Sequence, residues 1–291
     1  MQTVHDIKEL DQIVSSGEMK LFEKREFLKK KSYFFMKNAG KQVFDLIKKN
    51  FKKKQPIIVL CGPGNNGGDG FIISKHLIDR GHKTKVYALL NKKSYKGDAF
   101  KALNEYGEKI KKISSFRIKK NALIVDAIFG IGLSRNIKGK LKKIFNQINK
   151  SNNRVVSVDI PSGVCSNTGK ILGSAIKADF TITFHRKKIG HILGLGKKFS
   201  GRIKVMDIGF SQKKMNTQCL KNSPNLWIRY FPWKKTSDHK YSRGRAVVYG
   251  GQKEFTGAAI LSAQAALKTG TGSVKIICSK NTLQIYSIKF P

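Results

Sequence analysis

The stretch that most restricts what this chain can fold into runs over residues 57–70. Five apolar residues, Ile57-Ile58-Val59-Leu60-Cys61, give way at once to Gly62-Pro63-Gly64-Asn65-Asn66-Gly67-Gly68-Asp69-Gly70. Beyond it, Phe71, Ile72, Ile73, Leu77 and Ile78 recur at helical spacing against Lys75, His76, Asp79 and Arg80, and Gly81 closes the segment. The pattern predicts a buried strand, a tight glycine loop and an amphipathic helix over 69–80. Glycines let a backbone come close to a ligand, and a helix N-terminus presents unpaired N–H groups with partial positive charge. A phosphate-bearing small molecule suits such a place.

Two familiar glycine loops do not describe it. Gly62, Gly64 and Gly67 match the spacing of the dinucleotide fingerprint, which also needs an acid about 20 residues further on for the ribose hydroxyls. The next apolar run, residues 84–90, is followed by Asn91, Lys92 and Lys93 instead. The P-loop fails as well, because Gly68 and Asp69 stand where it requires Lys and Ser or Thr. An ordinary turn does not need two Asn and an Asp among these glycines.

From residue 57 onward strand and helix patterns alternate. Strands are predicted over 57–60, 84–89, 122–125, 154–158, 180–184 and 202–207. Helices are predicted over 69–80, 96–106 and 138–149, with a short piece near 174–178. Apolar strands separated by helices argue for a mostly parallel sheet covered on both faces, a Rossmann-like three-layer αβα sandwich. Ligands of such sheets bind beyond the C-terminal strand ends. Three of those ends carry polar groups: the first leads to Asn65, Asn66 and Asp69, the strand 122–125 to Asp126, and the strand 154–158 to Asp159 and Ser162. A lone Asp closing a strand has an ordinary use as a cap. Two at equivalent ends, each before a glycine-bearing loop, point to a site, since a buried carboxylate is costly without a partner.

The motif Gly62–Gly70, with Asp126-Ala127-Ile128-Phe129-Gly130-Ile131-Gly132, Val158-Asp159-Ile160-Pro161-Ser162-Gly163 and Ala178-Asp179-Phe180-Thr181-Ile182-Thr183-Phe184, resembles the NAD(P)H-hydrate epimerases, the YjeF N-terminal domain family. The likeness covers roughly the first 210 residues, and several motifs in order make it specific. It implies epimerisation of the R and S forms of NADHX and NADPHX, nicotinamide cofactors hydrated at ring carbon 6. By the same likeness the substrate contacts are Asn65, Asn66, Gly67, Gly68, Asp69, Gly130, Ile131, Gly132, Leu133, Ser134, Arg135, Asn136 and Asp159. Arg135 suits a phosphate, because a planar guanidinium matches phosphate geometry. Asn66, Asp126 and Ser162 offer an amide oxygen, one carboxylate and a hydroxyl, a set suited to a hard cation of low charge; the family places K+ on the matching positions. Asp159 is the candidate for moving the hydroxyl proton.

Residues 3–50 read as two helices. The first spans 3–15, with Val4, Ile7, Leu10 and Ile13 on one face; the second spans 33–49, after a charged segment over 17–31 whose register the pattern does not define. The second carries Met36-Lys37-Asn38-Ala39-Gly40, similar to a family element that has an acid where Lys37 stands. Asn222-Ser223-Pro224 reads as a linker, which divides the chain into residues 1–221 and 222–291. The tail, with strands over 246–249 and 273–277 and a helix over 260–268, looks like the opening of the ADP-dependent NAD(P)H-hydrate dehydratase domain, a ribokinase-like fold. ADP or ATP belongs only to a complete form of that domain, whose later nucleotide loop and catalytic Asp have no counterpart here. Ala258 matches a substrate-contact position. About 70 residues with one βαβ unit do not readily make an independent core, so the expectation is an incomplete bifunctional repair protein.

Net charge is +40, from 58 Lys and Arg against 18 Asp and Glu. The lysines lie in short clusters along the whole chain (29–31, 52–54, 111–112, 142–143, 187–188) without an aromatic–basic RNA motif, and read as a solvated surface. His185 and His191, flanking Arg186-Lys187-Lys188, read likewise as surface histidines. Nucleic acid is therefore not an expected partner, although a non-catalytic nucleotide- or RNA-binding module of the same fold is the competing reading. Four scattered cysteines, no apolar run of membrane-spanning length and no leader pattern lead to an expectation of a cytoplasmic protein with free thiols, and a homo-oligomer is expected.

Overall fold

A computed structural model describes residues 12–52, 54–211, 215–233 and 235–289. The chain divides into two compact units after Leu226, slightly beyond the boundary drawn from the sequence.

The first unit opens with β1 (Gln12–Val14), α1 (Ser16–Lys29) and α2 (Ser32–Asn50). Of the helix expected over 3–15, residues 3–11 lie outside the described residues, and 12–14 form a strand instead. Ser15 then caps α1, accepting from the Glu18 N–H at 3.1 Å while Glu18 accepts from the Ser15 N–H at 2.6 Å. This capping box converts the charged segment 17–31 into a helix whose start is defined by its own side chains. The body then alternates: β2 (Ile57–Cys61), α3 (Asn65–Asp79), β3 (Thr84–Ala88), α4 (Gly97–Tyr106), β4 (Lys111–Lys112), β5 (Leu123–Ala127), α5 (Gly139–Lys150), β6 (Val155–Val158), β7 (Phe180–Phe184), β8 (Lys187–Lys188), α6 (Gly194–Phe199), β9 (Arg202–Met206), β10 (Cys219–Leu220) and α7 (Pro224–Trp227).

Seven strands form one sheet in the order β4-β3-β2-β5-β6-β7-β9, and every pairing in it is parallel. The central strands are buried on both faces. Ile57, Val59 and Cys61 join a core with residues of α2, α3 and α4; Ile58 and Leu60 join a second with Ile144, Phe145 and Ile148 of α5. Helices thus cover both sides, as continuous apolar strands require. Strand order reverses between β2 and β5, which opens a crevice at their C-terminal ends. A second small sheet, β10-β1-β8, ties the start of the described chain to the segment after β7.

The short helix predicted near 174–178 does not form. Its backbone is used elsewhere: Ile176 N–H donates to Ser162 O, Ala178 N–H to Phe199 O, and the Asn149 amide bridges Ala175 O and Lys177 N–H. Helix α3 starts at Asn65, earlier than residue 69, because the glycines do not serve a turn. Gly67, Gly68 and Gly70 lie within the helix and permit close approach instead. A Cβ at Gly67 would collide with the Gly62 carbonyl; at Gly68 it would lie 2.7 Å from Met36, and at Gly70 2.7 Å from Cys61 Sγ.

The second unit holds β11 (Arg245–Tyr249), α8 (Thr256–Lys268), β12 (Ser273–Ile277) and α9 (Lys280–Lys289). Its two strands pair in parallel, one βαβ turn followed by a helix. Ala259, Ala263 and Tyr286 are buried, while Val247, Tyr249, Leu261, Ile277 and Ile288 stand exposed. This is a thin core, as one βαβ unit allows.

Candidate active site

At the crevice between β2 and β5 lies a cleft of about 630 Å³. Its floor is the N-terminus of α3, with Gly64, Asn65, Asn66 and Asp69. One wall is the strip 128–135 that leaves β5. Asp159 at the end of β6 and Lys188 on β8 close the far side, and α1 supplies Lys20, Glu23 and Phe27. Phe35, Met36, Phe184, Ile208 and Phe210 make the rest of the lining largely apolar. Apolar walls with a few convergent polar groups are usual for a small-molecule site.

Most residues selected from the sequence meet here: Asn65, Asn66, Asp69, Gly130, Ile131, Gly132, Leu133, Ser134, Arg135 and Asp159 all line the cleft. Gly67 and Gly68 do not; they sit beneath it and set how closely α3 approaches β2 and Met36. Asn136 is exposed outside the lining. Ala258 belongs to the second unit, on α8.

Asp126 and Ser162 meet below the strip 128–135. Ser162 Oγ donates to Asp126 Oδ1 at 2.5 Å, Ser162 N–H to Oδ2 at 2.8 Å, and Ser157 Oγ to Oδ2 at 2.9 Å; Phe129 N–H donates to Ser162 Oγ. Burial pushes the Asp126 carboxyl up, opposed by these hydrogen bonds. Asn66 is buried, with neither Oδ1 nor Nδ2 hydrogen-bonded. Buried amides are rarely left so, because each unmade bond costs about 1–3 kcal/mol. The donor set is all oxygen apart from that amide nitrogen, and the orphaned Asn66 oxygen is the one that a hard monovalent cation would satisfy. Among the described residues no cluster of His, Cys, Asp and Glu suits a transition metal.

Asp159 carries the charge of the site. Asp159 takes φ +64°, a left-handed backbone rare outside glycine, at the tip of β6. Lys188 Nζ donates to its Oδ1 at 2.6 Å and to Thr183 Oγ1 at 2.7 Å, and Thr183 Oγ1 donates to the same Oδ1 at 3.0 Å. Oδ2 faces Gly130, whose added Cβ would lie 3.2 Å away. Burial opposes the Asp159 charge, but the Lys188 cation and these hydrogen bonds hold the carboxyl below its ordinary range. Two further acids share that field. Burial, then the charges of Asp159 and Glu23, push Asp69 well up. Burial raises Glu23 to about 7, with Lys188 pulling down and Asp159 pushing up. One buried cation thus serves this group of carboxyls, and Asp159 holds it.

Both histidines and Lys188 correct the sequence reading. Lys188 and His191 are fully buried and His185 nearly so. His185, at φ +63°, turns the chain back, and its ring stacks on Phe22 with centroids 4.4 Å apart. The chain then pairs as β8 with β1, which drives Lys188 inward. Lys188 N–H donates to His191 Nδ1 at 3.0 Å, so Nε2 carries the hydrogen and donates to Asp159 O at 2.8 Å. Burial and the nearby Lys188 lower His191 to about 4, which keeps it neutral. No pattern in residues 185–191 announces this; the pairing that buries them joins distant segments. The Ser15-x-x-Glu18 box, by contrast, is a local sequence signal that locates α1 and, with it, Glu23. The described lysines of the other clusters are largely exposed, as expected, and Lys37 pairs with Glu105 at 3.1 Å on the surface.

These features define a doubly wound α/β protein with a polar ligand cleft at its switch point. The family profile described as YjeF-related protein N-terminus matches residues 32–190, and the chain belongs to that family. It is 35% identical over 275 residues to a protein of Moorella thermoacetica named bifunctional NAD(P)H-hydrate repair enzyme Nnr, covering 89% of this chain and 52% of that one. A Dictyoglomus turgidum protein of the same name is 33% identical, covering 96% of this chain and 57% of that one. The chain thus spans about half the length of the curated relatives it matches. The crystal structure of yeast ynu0 superposes with a TM-score of 0.57 at 21% identity, over 78% of this chain and 97% of that one, a likeness of fold. No helix among the described residues is long and apolar enough to cross a membrane.

Proposed function

We propose that the first unit interconverts the R and S hydrates of reduced nicotinamide dinucleotides, NADHX and NADPHX. The observation that carries this is the cleft itself. A helix N-terminus and Arg135 suit the dinucleotide's phosphates, apolar walls suit its ring, and a charged carboxylate, Asp159, waits at the closed end. The names of the relatives support the same reading.

Inverting carbon 6 requires its C–O bond, or the ring, to open and re-form. Asp159 Oδ1 is engaged by Lys188 and Thr183, and Oδ2 remains for the substrate hydroxyl. Held ionised, it serves as proton acceptor. Asn65 and the strip 130–135 orient the dinucleotide, and Asn66, Asp126 and Ser162 are the residues to hold K+. When bound, K+ would supply fixed positive charge beneath that strip. We place the beginning of an ADP-dependent dehydratase domain in the second unit, on the resemblance of its sequence.

The test mixes R and S hydrates with a separate S-specific dehydratase, with and without this chain. Faster consumption of the R form only in its presence supports the epimerase. An unchanged rate favours the non-catalytic module.

A further inference from the structure

A second carboxyl, Glu23, lines the same cleft as Asp159, and nothing in the reaction outlined above uses it. Glu23 sits on the second turn of α1, whose start is locked by the Ser15–Glu18 box. Near the other end, buried Glu26 accepts from Ser211 N–H at 2.6 Å and Lys29 Nζ at 2.6 Å. The helix is therefore pinned on both sides of Glu23, and its carboxyl is presented to the cleft beside Asp159 and Lys188. Among the described residues it has no hydrogen-bond partner. Asp159 is tied to Lys188 and Thr183, and Asp98 to Ser32 and Lys101; Asp69 shares the lack of a side-chain partner but is buried in the first turns of α3.

Building on the proposed epimerase reading, we infer that Glu23 is the proton donor of the reaction, and Asp159 its ionised counterpart. The cause is electrostatic. Burial opposes the Glu23 charge most; Lys188 and Lys20 draw it toward ionisation, and Asp159 opposes it. The balance leaves Glu23 titrating near 7, where a carboxyl can both give and take a proton. Asp159, held ionised by Lys188, has no proton to give, and Asp69 holds its own too firmly to return it readily. Neighbouring carboxyls whose environments push them apart divide acid and base roles in this way.

The step balances. The C6–O bond breaks with its electron pair on oxygen, which takes the Glu23 proton and leaves as water. The lone pair of the adjacent ring nitrogen closes a C=N bond to C6. The resulting cation lies beside the Asp159 carboxylate. Water then adds to the other face of C6, the pair returns to nitrogen, and the released proton passes to the Glu23–Asp159 pair, which restores the starting state.

The test compares the intact wild-type chain with Glu23→Gln and Glu23→Asp in R-to-S conversion from pH 5 to 9, alongside equilibrium binding of NADPHX. Expected for Glu23→Gln are a fall in kcat of about 10²–10⁴-fold, binding unchanged within about threefold, and loss of the alkaline limb near pH 7. Glu23→Asp should keep that limb with part of the rate. A Glu23→Gln variant that turns over like the wild type with the limb intact overturns this assignment alone. A wild-type chain that does not interconvert the hydrates sinks the epimerase reading, and this assignment with it.

Discussion

Lys188 Nζ stands 2.6 Å from Asp159 Oδ1, and their side chains are only 2% and 14% exposed. A buried pair is weak evidence of net stabilisation, yet removing one partner is costly because the other stays charged in low dielectric. Lys188→Met is therefore expected to lose about 3–5 kcal/mol. Urea unfolding checks this, and Lys188→Met/Asp159→Asn should recover part of the loss. Additive single losses in that cycle would mean that the two groups do not interact.

Asp159→Asn keeps an acceptor for Lys188 and Thr183 but removes the charge. Turnover should vanish while NADPHX still binds. Normal turnover in this variant would remove Asp159 from the chemistry.

His191 makes stability depend on acidity. Its folded pKa is lowered by burial and by Lys188 from 6.5 to about 4. The unfolded chain therefore binds the proton first as pH falls, and stability declines from about pH 6.5 down to about 4. The loss is on the order of 3 kcal/mol at the acid end, since each pH step across that window is worth about 1.4 kcal/mol. Thermal melts of wild type and His191→Gln between those acidities measure it. Equal slopes would argue against a buried neutral imidazole.

The glycines of the central motif should differ sharply in tolerance. Gly64 caps α3 in open space, with no atom within 4 Å of an added Cβ, so Gly64→Ala should cost about 1 kcal/mol or less. Gly67→Ala drives a methyl into the Gly62 carbonyl, and a loss of about 1–3 kcal/mol or more is expected. Melting temperatures of the two variants decide it.

If Asn66, Asp126 and Ser162 hold K+, the ion should stabilise the folded chain by about 1.4 kcal/mol at ten times its dissociation constant. Asn66→Ala should abolish that gain. A melting temperature indifferent to exchange of K+ for a bulky organic cation would exclude the site.

Six strands of the large sheet are legible in the sequence to within a residue or two, since buried parallel strands are apolar runs whose pattern needs no partner. The sequence also singles out Asn65, Asn66, Asp69 and Asp159, which line the cleft, and Asp126, which lies beneath it, because a polar group closing an apolar strand is conspicuous. Its errors lie where environment outweighs type. Glycines at 67, 68 and 70 look like a loop yet permit close packing within a helix. Arg186-Lys187-Lys188 looks solvated, yet β8 pairs with β1 and carries Lys188 into the core.

Local sequence by itself determined the alternation of strand and helix, and the polar groups at the ends of three strands, because periodicity and propensity act within a few residues. Tertiary structure alone decided which acid keeps the cation, which stays protonated and which histidine is neutral. Those states follow from burial and from charges brought together across more than 150 positions of chain, as Glu23 and Lys188 are, and no window of sequence contains that field.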